Sequence, residues 1–300
     1  MTMTTQQAFA SYEAARARMP GSVRGGSPRH AETLAEIADE FDVFLLDAFG
    51  VLNIGSSAIP GTPDRVADLQ AAGKRVMVVS NAGGFPHQLL MQKYARLGYD
   101  FAPEDVVTSR KALLAAVRSE TPRRWGVMAT ESLGRADLEE IDLIFLAEDP
   151  APYADVEAFL LIGSGAWTEA RHALLEAALR ANPREVWVGN PDIVAPGDSG
   201  FSFEPGYFAH RLAEATGVAP RFFGKPFSNI YELAFAQLGG DYPRERILMV
   251  GDSLHTDILG AQTAGIASAL VAEYGFFAGT DPRPAMETAG ISPDYVIRRP

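Results

Sequence analysis

Four polar residues, Asp47, Ser80, Lys225 and Asp252, stand where this chain could do chemistry. Three of them end aliphatic runs. Val43-Phe44-Leu45-Leu46 stops at Asp47, Val76-Met77-Val78-Val79 at Ser80-Asn81, and Ile247-Leu248-Met249-Val250 at Gly251-Asp252. Short aliphatic runs bounded by polar residues suit strands buried on both faces, as in a parallel sheet. In an open α/β sheet, ligands bind just outside the carboxyl ends of the strands. The runs therefore bring Asp47, Ser80 and Asp252 to one rim. A single Asp after an apolar run is ordinarily a cap or turn residue; three such ends plus Gly224-Lys225-Pro226 are harder to explain that way. The formal charge of −12 disfavours anionic substrates. A phosphate-handling site here needs a local cation, either a metal or a placed lysine.

The elements that must position these residues alternate along the chain. Amphipathic helical patterns cover about Pro63–Ala72, Gln88–Leu97 and Ser228–Leu238. Strand–helix alternation predicts an α/β fold with a doubly wound parallel sheet. A second α/β pattern fills the middle: Gly126–Ala129, Leu143–Leu146, Phe159–Ile162 and Val186–Val188 read as strands, and Trp167–Arg180 as a helix. We expect an N-terminal helix and extension over 1–29, a core over 30–108 and 200–300, and an inserted α/β cap over 109–199. The boundaries lie near Thr108-Ser109 and in the Gly/Pro-rich stretch Pro196–Gly206.

With 47% apolar and 21% charged residues, the 300-residue chain has ordinary globular composition. No run approaches the ~20 apolar residues of a membrane span, and the first thirty lack an apolar signal-peptide core. Arg16, Arg18, Arg24 and Arg29 loosely suggest a transit peptide, but Glu13 and a short helical pattern favour a plain N-terminal helix. Without cysteine there can be no disulfide or thiolate nucleophile; a cytoplasmic location is compatible with this. The acidic balance argues against a nucleic-acid partner, and nothing argues for a membrane.

Four ordered segments resemble the motifs of haloacid dehalogenase-like (HAD) hydrolases: Asp47-Ala48-Phe49-Gly50-Val51-Leu52, Val79-Ser80-Asn81, Gly224-Lys225-Pro226, and Gly251-Asp252 with Asp257. The resemblance implies a Rossmann-like core and a magnesium-dependent phosphatase acting on a small phosphorylated substrate. It makes Asp47 the nucleophile that forms an aspartyl-phosphate. Asp47, the backbone carbonyl of Phe49 and Asp252 become ligands of Mg2+, with Asp257 supporting them. Lys225, the Ser80 hydroxyl and the amides of Asn81 and Ala82 hold the phosphoryl oxygens. Only 33 positions separate Asp47 from Ser80, but 145 separate Ser80 from Lys225. A large insertion between the second and third motifs resembles the class IIA branch, which includes nucleotide-, sugar- and pyridoxal-phosphate phosphatases. That branch's cap ends near Asn-Pro-Asp, matched by Asn190-Pro191-Asp192, which places Asn190 at the substrate. The cap is expected to roof the rim as a lid hinged near Ser109 and Gly197–Gly206, and cap-mediated homodimers are common in the branch.

Phe49 departs from the pattern. Family phosphatases carry there a second aspartate that protonates the leaving oxygen, a service usually worth about 10² to 10⁴ in rate. His255 stands near Asp252 and is read either as a substitute acid or as a surface or capping residue. Asn53 either orients a water or holds the turn. His30, His87, His172 and His210 show no metal-ligand spacing. Trp125, Trp167 and Trp187 read as cap core rather than as a substrate platform. Two rival functions stay open: carbon–halogen hydrolysis, whose enzymes carry an aromatic at the Phe49 position, and a catalytically weak phosphate-binding or regulatory protein.

Overall fold

The computed structural model describes residues 3–22, 26–197 and 200–300. Arg24 of the basic N-terminal group, and residues 198 and 199 of the Gly/Pro-rich stretch, lie outside the described residues. The chain begins with helix α1 (Thr5–Ala15), started by a capping box in which Thr4 and Gln7 bond reciprocally. The strands then follow as β1 (Arg29–Thr33), β2 (Val43–Leu46), β3 (Asn53–Ile54), β4 (Ser57–Ala58), β5 (Arg75–Ser80), β6 (Val106–Thr108), β7 (Trp125–Met128), β8 (Leu143–Phe145), β9 (Ala158–Leu161), β10 (Val186–Val188), β11 (Val194–Gly197), β12 (Gly200–Phe203), β13 (Arg221–Phe222), β14 (Ile247–Gly251), β15 (Ala267–Val271) and β16 (Tyr295–Arg299). The remaining helices are α2 (Thr62–Ala71), α3 (His87–Arg96), α4 (Ser109–Ser119), α5 (Ala151–Asp155), α6 (Glu169–Ala181), α7 (Pro205–Thr216), α8 (Ser228–Ala236), α9 (Leu259–Ala264) and α10 (Arg283–Ala289).

Seven strands form one parallel sheet in the order β1-β16-β15-β14-β2-β5-β6. From β2 the chain winds one way through β5 and β6, and later the other way through β14, β15 and β16. The crevice of such a fold opens where the winding reverses, here at the neighbouring ends of β5, β2 and β14. Successive side chains alternate between faces. Val43, Leu45, Met77, Val79, Ile247 and Met249 meet α4 and α8 on one face. Phe44, Leu46, Val76, Val78, Leu248 and Val250 meet α2 and α3 on the other. Both faces are dry, which is why these strands read as unbroken aliphatic runs; each such buried side chain contributes roughly 1.5–3 kcal/mol.

A second parallel sheet has the order β13-β10-β9-β7-β8. Its apolar side chains Trp125, Leu160 and Trp187 join the same cluster as Val43 and Leu45, through Leu113 and Leu114 of α4. Its other face is covered by Leu175 and Leu179 of α6 and by Phe208 and Leu212 of α7. The expected break near residue 200 therefore falls later, because α7 packs on the second sheet and β13 pairs with β10. At the other expected boundary, Ser109 is fully buried and the Thr108 side chain caps α4. Pro196–Gly206 is not a plain loop, since β11 and β12 pair antiparallel there. No helix among the described residues is long and apolar enough to cross a membrane.

Candidate active site

The three runs deliver their polar ends as expected. Asp47 follows β2, and its amide donates to Val250 O of β14 at 2.9 Å. Ser80 closes β5 and Asp252 follows β14. Lys225 lies on the loop between β13 and α8, and its Nζ donates to Asp47 Oδ1 and to Asp257 Oδ1, each at 2.6 Å. Lys225 is buried, 1% exposed. Burial works against its charge, but Asp257 and Asp47 outweigh that and raise its pKa.

Asp257 reaches the site because the backbone makes a wide π-type turn over Leu254–Ile258 before α9. Its Oδ2 accepts the amide hydrogens of Asp252 and Ser253, both at 3.1 Å. Asp252 Oδ2 accepts from Phe276 N at 2.8 Å. Gly50 and Gly275 make room for it. Both have positive φ, and a Cβ at either would run into the Asp252 carboxylate.

Asp47, Asp252 and Asp257 present oxygens within 4.8 Å of one another. Burial pushes the Asp47 carboxyl up to about 6, against the pull of Lys225. Burial, with Asp257 and Asp47 alongside, holds Asp252 well above the carboxylate range. Three carboxylates facing one ammonium leave an excess of negative charge in a dry place. Asp257 has both oxygens engaged, so Asp47 and Asp252 are the carboxylates placed to meet a cation. All-oxygen donors fit a hard ion of the magnesium or calcium kind.

Two cavities meet at Asp47. A narrow one of about 40 Å³ is lined by Tyr12, Asp47, Phe49, Asp192, Lys225 and Asp252, among others. A wide one of about 810 Å³ is walled by Asp47, Phe49, Asn53, Ser80, Asn81, Ala82, Asn190 and Asp192 on the motif side. The Asn81 side chain bonds the Lys225 backbone twice and donates to Asp192 Oδ1 at 2.8 Å. Asn190 donates to Glu204 Oε2 at 3.1 Å and accepts from Asp192 N at 3.0 Å, so its side chain shapes the Asp192 loop. Asn53 is buried and donates to Gly55 O at 3.0 Å.

His255 does not join this group. It lines neither cavity, is 1% exposed, and sets its Nε2 2.5 Å from Glu13 Oε1 of α1, while Tyr12 stacks on its ring. The side chain after Leu254 points into the α1 contact rather than to the rim. Trp125 and Trp187 pack together in the core, ring centroids 5.2 Å apart, but Trp167 lines the wide cavity and is only half-buried. Tyr12, Asp192 and Glu204 are among the lining residues to which the sequence assigns no role of their own. Asp192 had a signal in the Asn-Pro-Asp motif; Tyr12 and Glu204 had none.

The family model described as haloacid dehalogenase-like hydrolase matches residues 44–143, and a second, described as HAD-hydrolase-like, matches residues 222–299. A 4-nitrophenylphosphatase of Schizosaccharomyces pombe is 27% identical over 87% of this chain and 93% of its own length. A possible sugar phosphatase of the HAD superfamily from Cytophaga hutchinsonii shares the fold, with a TM-score of 0.79 at 22% identity over 90% of this chain and 98% of that one. A glycerol phosphate phosphatase from Mycobacterium tuberculosis, solved in complex with magnesium, superposes with a TM-score of 0.64 at 27% identity, over 79% of this chain and 69% of that one. The motif order, the parallel sheet and two family matches that together span more than half of the sequence agree: this chain belongs to the haloacid dehalogenase-like hydrolases.

Proposed function

We propose that this protein is a magnesium-dependent phosphatase of small phosphorylated metabolites, with Asp47 as nucleophile. The observation that carries the reading is Lys225 Nζ held 2.6 Å from both Asp47 and Asp257, beside the otherwise uncompensated Asp252. One ammonium cannot balance three buried carboxylates and an incoming phosphate.

Asp47 attacks phosphorus, an Asp47 O–P bond forms, and the bond from phosphorus to the ester oxygen breaks. The leaving alkoxide or phenoxide takes up a proton. Water then cleaves the acyl phosphate, returning Asp47 and releasing phosphate. Lys225 holds negative charge at the attacking carboxylate and the phosphoryl oxygens. The Ser80 hydroxyl and the amides of Asn81 and Ala82 line the same corner and orient those oxygens. Asp257 positions Lys225 and the Asp252 backbone. Oxygens of Asp47, the Phe49 carbonyl and Asp252 would hold magnesium, which would supply charge neutralisation at the transferring group. The second sheet with α6 and α7 serves as the cap that walls the cavity from water.

Support for phosphoryl over carbon–halogen chemistry comes from the short path between β2 and β5, which holds only the β3–β4 hairpin and α2. No helical cap sits there. The test is a metabolite phosphatase panel with and without magnesium, alongside Asp47→Asn and calorimetric Mg2+ titration of wild type and Asp252→Ala. Turnover that survives in Asp47→Asn, or magnesium binding unchanged in Asp252→Ala, contradicts the assignment.

A further inference from the structure

The cavity before Asp47 is far larger than a phosphate group needs. Its volume of about 810 Å³ lies in the roughly 300–1,000 Å³ range of clefts that enclose whole small molecules. Away from the carboxylates its wall is aromatic and aliphatic: Phe85, Leu89, Leu133, Trp167, Phe203 and Phe208. The large hydrophobic side chains left exposed among the described residues are Phe85 (50%), Leu89 (37%) and Phe203 (39%), and all three stand on this cavity. Scattered exposed apolar residues need no explanation, whereas their gathering at one opening marks a ligand surface.

Helix α3 adds a second feature. Lys93 and Arg96, three residues apart on one helix face, both line the cavity. Neither has a carboxylate partner at ion-pair distance among the described residues. In a chain with 38 acidic and 26 basic residues, two adjacent cations that line the active-site cleft without an ion-pair partner among the described residues are unexpected as mere surface chemistry. Burial, and then the neighbouring Arg96, press the Lys93 pKa down, against the pull of the Asp47 charge. The cavity's own acids are engaged elsewhere: Asp47 with Lys225, Asp192 with Asn81, Glu204 with Ser202 and Asn190.

Resting on the phosphatase reading above, we propose that this cavity takes a phosphate monoester with a flat aromatic body and a second anionic group, which Lys93 and Arg96 receive. The aromatic wall packs the body, the motif side holds the phosphate, and α3 reads the far charge. Guanidinium and ammonium groups facing an anion across a partly buried cleft form charge-assisted hydrogen bonds, which makes the second charge a specificity element.

The experiment separates binding from turnover. The magnesium-loaded protein is titrated calorimetrically with benzylphosphonate and with 4-carboxybenzylphosphonate, neither of which can be hydrolysed. Turnover of phenyl phosphate is measured in parallel. The carboxylated probe should bind about ten-fold tighter. In the double variant Lys93→Gln with Arg96→Gln the affinity ratio should approach one, while Lys93→Arg keeps the preference. No binding of either probe, equal affinity in wild type, or a preference that survives the double replacement overturns the proposal. Preference without any phosphatase turnover leaves this subsite standing and removes the phosphatase reading; turnover without preference does the reverse.

Discussion

Asn81 grips Lys225 by its backbone rather than by its charge. Asn81 Oδ1 accepts from Lys225 N at 2.8 Å, and Asn81 Nδ2 donates to Lys225 O at 2.9 Å. One side chain at the end of β5 thus sets the position of a lysine 144 residues later. Asn81→Ala should leave the buried Lys225 N–H and C=O unpaired and free the Asp192 carboxylate. Deprived buried polar groups cost about 1–3 kcal/mol each, so urea denaturation should show a loss of about 2–4 kcal/mol. Turnover should fall with it, even when normalised to folded protein. An Asn81→Ala protein of wild-type stability contradicts the clamp.

This clamp also marks where sequence reading stops. The rim of Asp47, Ser80 and Asp252 was legible because two-sided burial of β2, β5 and β14 leaves a local trace, an aliphatic run with a polar stop. Lys225 was legible through its Gly-Lys-Pro setting and the order of the motifs. The side-chain bonds of Asn81 were not, since they join segments far apart in sequence. His255 shows the same limit: its neighbour Leu254 and its distance from Asp252 are sequence facts, but the direction of its ring is set by Tyr12 and Glu13 of α1. The β11–β12 hairpin hid behind turn-forming glycine and proline, and β13, two residues long, carries too little pattern to be read.

Helix α1 braces two active-site segments at once. Tyr12 stacks on His255, and its hydroxyl accepts from Ile193 N at 3.1 Å, one residue past Asp192. Tyr12→Phe keeps the ring and removes only this acceptor, leaving a buried amide unsatisfied. The expected cost is about 1–3 kcal/mol in chemical denaturation, with a rise in KM rather than loss of cation binding at Asp47 and Asp252. Unaltered stability and KM would show that the hydroxyl contributes nothing there.

Asp192 makes the apo-protein sensitive to pH. Burial raises its carboxyl from 3.8 to about 8, against the hydrogen bond from Asn81. Between those values the folded protein holds a proton that the unfolded chain has lost. The folded state then binds more protons, so stability falls as pH rises through this window. Asp47, raised to about 6, and Asp252, held well above the carboxylate range, act in the same direction. His210, lowered by burial to about 4, acts oppositely while the unfolded histidine still titrates, below about 6.5. From about pH 6.5 to 8 the carboxyl effect dominates. With a chelator present, Tm should decline across that interval, and Asp192→Asn should flatten the decline. Calorimetric scans giving the same slope for both proteins rule Asp192 out as its source.

The ring of Phe49 beside Asp47 makes a prediction about ester preference. It lines both cavities beside Asp47, at the position where the resemblance to family phosphatases expects a proton-donating aspartate, and its ring can donate nothing. The departing oxygen must therefore leave without an acid two residues from the nucleophile. A phenolate tolerates this; an alkoxide does not. Wild type should hydrolyse 4-nitrophenyl phosphate much faster than glycerol phosphate. Phe49→Asp should recover part of the roughly 10² to 10⁴ that general acid catalysis supplies, and the gain should be far larger for the alkyl ester. Loss of a half-buried aromatic costs up to about 3 kcal/mol, so rates are compared per folded molecule. His255 cannot stand in, because its ring is enclosed by α1 and faces Glu13. Equal rates on both esters in wild type would mean that another cavity group delivers the proton, and Asp192, a carboxyl that stays protonated up to about pH 8 on the same cavity wall, is then the residue to replace with asparagine. A folded Phe49→Asp protein with no gain on either ester would instead show that proton delivery does not limit the reaction.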